Sequence, residues 1–250
     1  MGIPYSRPFY LKFAAVKDSL IDLACTLGLI TDPQSIRVDR YEAQFRVTSA
    51  AERWRVRHQM REGVVIEKLL DEIKIGDCFW DVGAAVGTYS CLAADAGATP
   101  VAFEPHPKNQ ARCVENFILN QIDGEVYEFA LSNGTKTMQL PKSGAVGTGT
   151  FQLSESGGFE VDTVRGDDVD APSPNVVKID VEGHEMQVLE GMEETLNTVR
   201  VIFVESHPNH GVEVEEVKAV LCEHGFEVEI IDLDRIEPYV VGRRTQTNRA

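Results

Sequence analysis

Asp180, Glu182, His184 and Glu185 lie together where the apolar run Val176-Val-Lys-Ile179 gives way to Met186-Gln-Val-Leu189. Carboxylates and an imidazole at a strand-to-helix junction can take a proton from a hydroxyl or orient a polar ligand. The same residues also suit a solvated helix start, because acids near a helix N-terminus complement its dipole. Glu185 fits that second reading. Asp180 fits the first, since it ends a strand of the kind whose carboxyl end carries ligands in open α/β sheets. Glu182 and His184 fit either.

Two other groups could act with them. Asp81-Val-Gly-Ala-Ala-Val-Gly87 follows the apolar run that begins at Cys78 and opens a helical pattern. Gly83 permits a tight turn with close ligand approach, and Gly87 permits close packing at the helix start. Glu104 follows 23 residues after Asp81 at the end of the next apolar run. An acid about 20 residues beyond a glycine-rich turn can accept both hydroxyls of a ribose. A dinucleotide would bring its pyrophosphate against Asp81, whereas S-adenosylmethionine brings an ammonium and a sulfonium that a carboxylate attracts. The Gly83-to-Gly87 spacing also departs from GxGxxG, so S-adenosylmethionine is the expected cofactor. Glu205, His207 and His210 follow a further apolar run. With Asp180 they could ligate Mg²⁺ or Mn²⁺. Polar contacts to hydroxyls of a bound ligand are the favoured reading, and no metal is assigned.

The elements that must position these residues alternate. Apolar runs over 78–82, 100–103, 126–131, 175–179, 199–204 and 226–231 read as strands. Helical spacing over 86–96, 107–120, 184–196 and 212–224 fills the gaps, and residues 238–241 suggest a last edge strand. This pattern predicts a doubly wound, mostly parallel sheet. Residues 132–170 are rich in Gly, Ser and Thr, with short β-like pieces at 137–140 and 149–153. They read as an inserted hairpin and loop. Ser143 to Gly149 is either a lid over the acceptor or a solvent-exposed hairpin. Residues 1–60 read as an N-terminal helical extension packed on a domain spanning 61–250. That extension has a helix over 9–30, a turn at Asp32-Pro33, a strand near 41–47 and the start of a second helix running on to Leu70.

Among 250 residues, 40 acids stand against 24 bases, a formal charge of −16. That argues against a phosphate-binding face for nucleic acid. Nine lysines against fifteen arginines on so acidic a chain fit a halophilic host; an ordinary acidic protein fits as well. Five cysteines without a CxxC pair read as reduced thiols in a cytoplasmic protein. No apolar run reaches the length of a membrane span, and no signal-peptide pattern opens the chain.

The strings Asp81-Val-Gly-Ala-Ala-Val-Gly-Thr-Tyr-Ser90, Phe103-Glu-Pro105, Ala130-Leu-Ser-Asn133 and Val177-Lys-Ile-Asp-Val-Glu-Gly-His-Glu185, with Val188-Leu-Glu-Gly191, resemble the FkbM family of methyltransferases. The resemblance covers roughly residues 60–235. It departs at Ala85, where the family often has Asn. It implies a Rossmann-like, seven-strand class I fold and methyl transfer from S-adenosylmethionine to an oxygen of a sugar or polyketide. Carried over, it implies that Asp81, Gly83 and Gly87 hold the methionine part and Glu104 the ribose. Ala130, Leu131 and Ser132 would lie along the adenine, and Asp180 would face the transferring methyl. The general base is our own inference: Asp180 and His184 are best placed to share it, with Glu182 beside them. A carboxylate acceptor would need none. The expected acceptor is a glycan or similar polyhydroxylated molecule, free or lipid-linked. The alternatives are a nicotinamide-dependent oxidoreductase and a binding module that retains the cofactor pocket without turnover.

Overall fold

The computed structural model describes residues 32–50, 52–53, 62–141, 153–154, 158–232 and 237–244, with isolated positions between 20 and 29. The expected helix over 9–30, apart from those positions, and the expected lid over 143–149 lie outside the described residues.

Among the continuously described residues a hairpin of β1 (Gln34–Val38) and β2 (Tyr41–Phe45) comes first, where the sequence suggested a turn and one strand. Helix α1 (Gly63–Glu72) leads into β3 (Cys78–Val82), α2 (Thr88–Asp95), β4 (Thr99–Phe103), α3 (Pro107–Leu119) and β5 (Glu125–Tyr127). Then come β6 (Ala130–Ser132), β7 (Lys136–Pro141) and β8 (Gly158–Arg165), which pair as a separate three-stranded sheet. The alternation resumes with β9 (Val176–Ile179), α4 (Glu185–Glu190), β10 (Val201–Glu205), α5 (Val214–Glu223), β11 (Glu227–Ile231) and β12 (Tyr239–Arg243). The main sheet has seven strands in the order β11-β12-β10-β9-β3-β4-β5. Only β12 runs antiparallel to its neighbours. No helix among the described residues is long and apolar enough to cross a membrane.

Every residue of β3 and β9 is buried, because both faces of the sheet are covered. Side chains alternate between two cores. Phe79, Val176 and Phe203 meet Leu69, Leu92 and the hairpin's Phe45 on one face. Trp80, Val177 and Ile202 meet Val188, Leu189 and Leu221 on the other. The helical residues recur at the spacing that puts one face of α1 against the sheet: Val65, Ile66, Leu69 and Leu70 are all buried.

Four elements differ from the sequence reading. The run over 126–131 is two strands, not one: β5 stays in the main sheet and β6 leaves to pair with β8. In the inserted region the expected strand piece at 137–140 is present as β7, but its partner is β8 over Gly158–Arg165, where the sequence suggested no strand. Val161 and Thr163 are buried between the exposed Glu160 and Asp162 along β8, a period-2 signal masked by the surrounding Gly and Ser and by the polar Thr163. Residues 239–243 form no edge strand. The β11–β12 hairpin folds back so that β12 lies between β10 and β11, leaving β11 at the edge. Helix α4 is also shorter than expected, ending before Gly191.

Neighbouring strands β3 and β9 align Asp81 with Lys178. Lys178 Nζ lies 3.9 Å from Asp81 Oδ1 and 2.9 Å from Asp180 Oδ2, and 4.9 Å over the Tyr89 ring. Ser90 donates to Asp81 Oδ2 from its backbone N–H at 3.1 Å and its hydroxyl at 2.7 Å. Burial disfavours the Lys178 charge, but the Asp180 and Asp81 carboxylates outweigh it and hold the ammonium above its ordinary pKa.

Lys178→Met keeps the length of the side chain but removes the ammonium that the two carboxylates share. Breaking one partner out of a buried ion pair costs about 3–5 kcal/mol, to be read as a lower urea midpoint with unchanged slope. A second substitution probes how β6 is seated. A Cβ at Gly191 would lie 1.9 Å from the Ser132 carbonyl oxygen. Gly191→Ala is expected to cost about 1–3 kcal/mol, as overpacking does, in the same measurement.

Candidate active site

A cavity of about 260 Å³ opens at the carboxyl ends of the parallel strands, where the strand order reverses between β4 and β9 across β3. One wall is the turn after β3, with Gly83, Ala84 and Ala85. Glu104 after β4, and Ala130 and Leu131 of β6, form a second wall. Lys178, Asp180, Glu182 and Glu205 close the far side. Leu140 of β7 and Leu153 add apolar surface from the inserted sheet.

The glycine turn is built by close approach. Gly83 takes φ +81, and a Cβ there would sit 1.9 Å from the Asp180 carbonyl oxygen. Gly87 takes φ +78, and a Cβ would meet Cys113 Sγ of α3 at 2.7 Å. Gly83 therefore lines the cavity and joins two strand ends, while Gly87 seats α2 on α3. Ala85 also has a positive φ of 51, a region that Asn enters more readily than Ala. Its backbone N–H donates to Glu104 Oε2 at 2.7 Å, and that of His106 donates to Oε1 at 2.8 Å. A carboxylate offers about four lone-pair sites, so both Glu104 oxygens can accept further donors from the cavity.

The remaining sequence-selected residues divide. Asp81 lies behind the wall, buried, with its carboxylate on Ser90 and Lys178 rather than on the cavity. Ser132 is buried too, and its hydroxyl meets His184 Nε2 at 2.9 Å. His184 thus faces β6 and is separated from Asp180, its expected partner. Burial, then the Lys136 charge, lowers its pKa. Asp180 and Glu182 do share the cavity wall.

Glu185 is the clearest departure from expectation. It was read as a solvated acid, yet it is fully buried. Its carboxylate accepts the backbone N–H groups of Val181 and Gly183, each at 3.1 Å, and the Nδ1 of His207 lies 2.9 Å away. This clamp shapes the turn in which Glu182 takes φ 55 and Gly183 φ 101. His207 Nε2 in turn lies 3.8 Å from Asp180 Oδ1 and 3.7 Å from Glu182 Oε2. Burial works against a charge on His207, but the Glu185 hydrogen bond and the surrounding carboxylates raise its pKa above the ordinary value.

The acids on the wall are therefore unequal. Burial would raise Asp180, but Lys178 and then His207 bring it below the ordinary carboxylate value. Burial and then the Asp180 charge push Glu182 up to about 7. The same two causes push Glu205 up to about 10, and Tyr239 donates to its Oε2 at 2.7 Å. Asp180, Glu205 and His207 offer ligand atoms within 4.8 Å of one another, a span a divalent cation could bridge. Each already has a protein partner: Lys178 on Asp180, Tyr239 on Glu205 and Glu185 on His207. An ammonium at hydrogen-bond distance from Asp180 also opposes a second cation there. We read the cluster as a network of charges and protons.

Sequence reasoning missed Lys178, Glu185 and the orientation of His207. A lysine inside an otherwise apolar strand was a usable signal for the first. Nothing local distinguished a buried Glu185 from a solvated one.

The Methyltransferase FkbM domain family matches residues 81–228. The hexuronic acid methyltransferase AglP of Haloferax volcanii is 37% identical over 239 residues, covering 93% of this chain and 97% of that protein. The 31-O-demethyl-FK506 methyltransferase FkbM of Streptomyces tacrolimicus is 28% identical, covering 83% and 90%. Among solved structures, the methyltransferase FkbM from Methylobacillus flagellatus superimposes with a TM-score of 0.50 at 12% identity, covering 78% of this chain and 55% of that one. Magnesium protoporphyrin IX methyltransferase (ChlM) from Synechocystis PCC 6803, solved with bound SAM, gives a TM-score of 0.50 at 14% identity, covering 78% and 84%. The structural likenesses speak to the fold alone; the sequence matches carry the family and favour methyl transfer over the nicotinamide alternative. The chain belongs to the FkbM family of methyltransferases.

Proposed function

We propose that this enzyme transfers a methyl group from S-adenosylmethionine to an oxygen of a hexuronic-acid-bearing sugar, within residues 61–250, with 1–60 as an extension packed on that domain. The observation that carries the cofactor reading is the donor set of one cavity. Backbone at Gly83 to Ala85 and the Glu104 carboxylate lie on one side, and Asp180, Glu182 and Glu205 on the other. Carboxylates attract the positive groups of this cofactor. Glu104 is the ribose residue, Ala130 and Leu131 flank the adenine, and Gly83 lets the backbone come close. Asp81 and Gly87 act one layer back: Asp81 fixes Lys178 and the start of α2, and Gly87 seats that helix. Ser132 holds His184, which supports β6 rather than the reacting atoms. When bound, S-adenosylmethionine supplies an electrophilic methyl on a sulfonium.

The acceptor reading follows from the 37% identity with a hexuronic acid methyltransferase and from the acids on the far wall. Alignment of the acceptor oxygen contributes much of the rate. Asp180, held between Lys178 and His207, is a weak base and a good orienting group. Glu182, with a pKa of about 7, is the acid best matched to proton removal near neutral pH. We assign it as the base for a hydroxyl acceptor. The relative's name favours a second reading, because a hexuronic acid also offers a carboxylate oxygen. No proton then leaves, and protonated Glu182 donates to the acceptor instead.

Glu104→Ala is expected to weaken S-adenosylmethionine binding by about 1.5–3 kcal/mol, the worth of a charged hydrogen bond. Calorimetry with an unchanged dissociation constant removes Glu104 from the ribose. The two acceptor readings separate by sign. With radiolabelled S-adenosylmethionine and p-nitrophenyl glucuronide as probe, a hydroxyl acceptor requires ionised Glu182, so kcat/KM rises with pH through about 7. A carboxylate acceptor requires the protonated form, so kcat/KM falls through the same range. Mild alkali releases label from a methyl ester and leaves a methyl ether intact. Under the hydroxyl reading, Glu182→Gln lowers turnover by about 10²–10⁴-fold. Wild-type turnover in that variant overturns the assignment.

A further inference from the structure

We propose that His207, pinned by Glu185 through Nδ1 and facing Asp180 and Glu182 through Nε2, is a positioning residue for methyl transfer: a fixed positive charge behind the two acids of the acceptor wall. The inference rests on the reading of Asp180 and Glu182 as the acceptor side of the cavity.

The geometry is that of a base oriented by a carboxylate, with a different neighbour at the far nitrogen. Glu185 Oε1 lies 2.9 Å from His207 Nδ1, so the ring donates there and its plane is fixed. Glu185 cannot turn away, because the backbone N–H groups of Val181 and Gly183 hold it. At the other nitrogen two carboxylates stand at 3.8 and 3.7 Å. Those distances are ion pairs and exceed a hydrogen bond, so the ring serves both acids as a shared charge. His207 and Glu185 are 4% and 0% exposed, which keeps water from screening the interaction.

The surrounding groups fix the sign. Lys178 comes from β9, Asp180 from the residue after it, Glu182 from the turn, Glu185 from α4, Glu205 from β10 and Tyr239 from β12. His210, in the same loop, stacks on the His207 ring at 5.7 Å and places Nδ1 3.8 Å from Glu182. Carboxylates outnumber the cations, so a protonated His207 is favoured, and its loss leaves Lys178 as the one permanent cation of this group. Glu182, losing a positive charge 3.7 Å away, then holds its proton more tightly.

The test is the pH profile of methyl transfer to p-nitrophenyl glucuronide. In His207→Gln the inflection set by Glu182 is expected to move upward by about one pH unit or more, the usual effect of an opposite charge at this range. The KM for S-adenosylmethionine stays within about twofold while kcat falls by about 10–100-fold. Glu185→Gln is expected to move the inflection the same way, and the double variant to go no further than either single one. An inflection that stays in place in His207→Gln overturns the proposal, provided Glu182→Gln has abolished it. If Glu182→Gln keeps the inflection, the acceptor-side reading fails and the positioning role with it. A measurement on the unaltered enzyme needs neither variant nor turnover: ¹⁵N NMR of the His207 imidazole at pH 7. Two protonated nitrogens are expected, and a neutral ring overturns the proposal.

Discussion

The buried ammonium of Lys178 is the constraint around which the catalytic end of this protein is arranged. It stands at the register point where β3 and β9 align, between Asp81 on one strand and Asp180 at the end of the other. Asp81 could not be buried alone, since an unpaired charge in a dry interior costs several kcal/mol, and the half-buried Asp180 shares its partner. One lysine answers for both. The consequence reaches in two directions. Through Asp81 and Ser90 it ties the strand to the start of α2, and so to the glycine turn. Through Asp180 it fixes the carboxylate that the cavity sees. The pair therefore ties strand to helix on one side and shapes the cavity wall on the other.

Charge also explains why carboxylates of one small region behave differently. Asp180 sits between two cations and stays ionised. Glu205, paired with Tyr239 and facing Asp180, keeps its proton up to about 10. Glu182 lies between these extremes, at about 7. Environments that push neighbouring groups apart in this way divide the labour among them. Glu185 is the quiet member: its lone pairs are spent on two backbone N–H groups and an imidazole.

Much of this was legible in the chain itself. Near-continuous apolar strands, three of them ending in Glu104, Asp180 and Glu205, announced a parallel sheet whose carboxyl edge carries acids, and the cavity lies there. What failed had a physical reason in each case. Strands β5 and β6 look like one apolar run, because the two residues that part them carry no turn signature. Glu185 occupies a first helical turn, where a solvated acid and a buried one have the same local sequence. Its burial depends on His207, 22 residues along the chain. His184 looked like the partner of Asp180 because of spacing, yet the positive φ at Glu182 and Gly183 turns the chain between them. That turn sends one side chain to the cavity and the other to Ser132. Long-range packing decided these cases, and local pattern does not encode it.

An acidic cavity in a chain of net charge −16 sets opposite conditions for the two molecules that must meet there. The field favours a cationic cofactor at every distance. It opposes the proposed acceptor, an anionic sugar, until that sugar is close, where individual groups outweigh the net field. At that range the cavity offers Lys178, His207 behind the acids, and the protons on Glu205 and, below neutral pH, on Glu182. Selectivity for the acceptor must then come from these few protonated groups rather than from the overall charge. The clamp that holds His207 in place is accordingly worth more to the reaction than its distance from the cavity surface suggests. It decides how much negative charge an arriving sugar meets on the wall it has to touch.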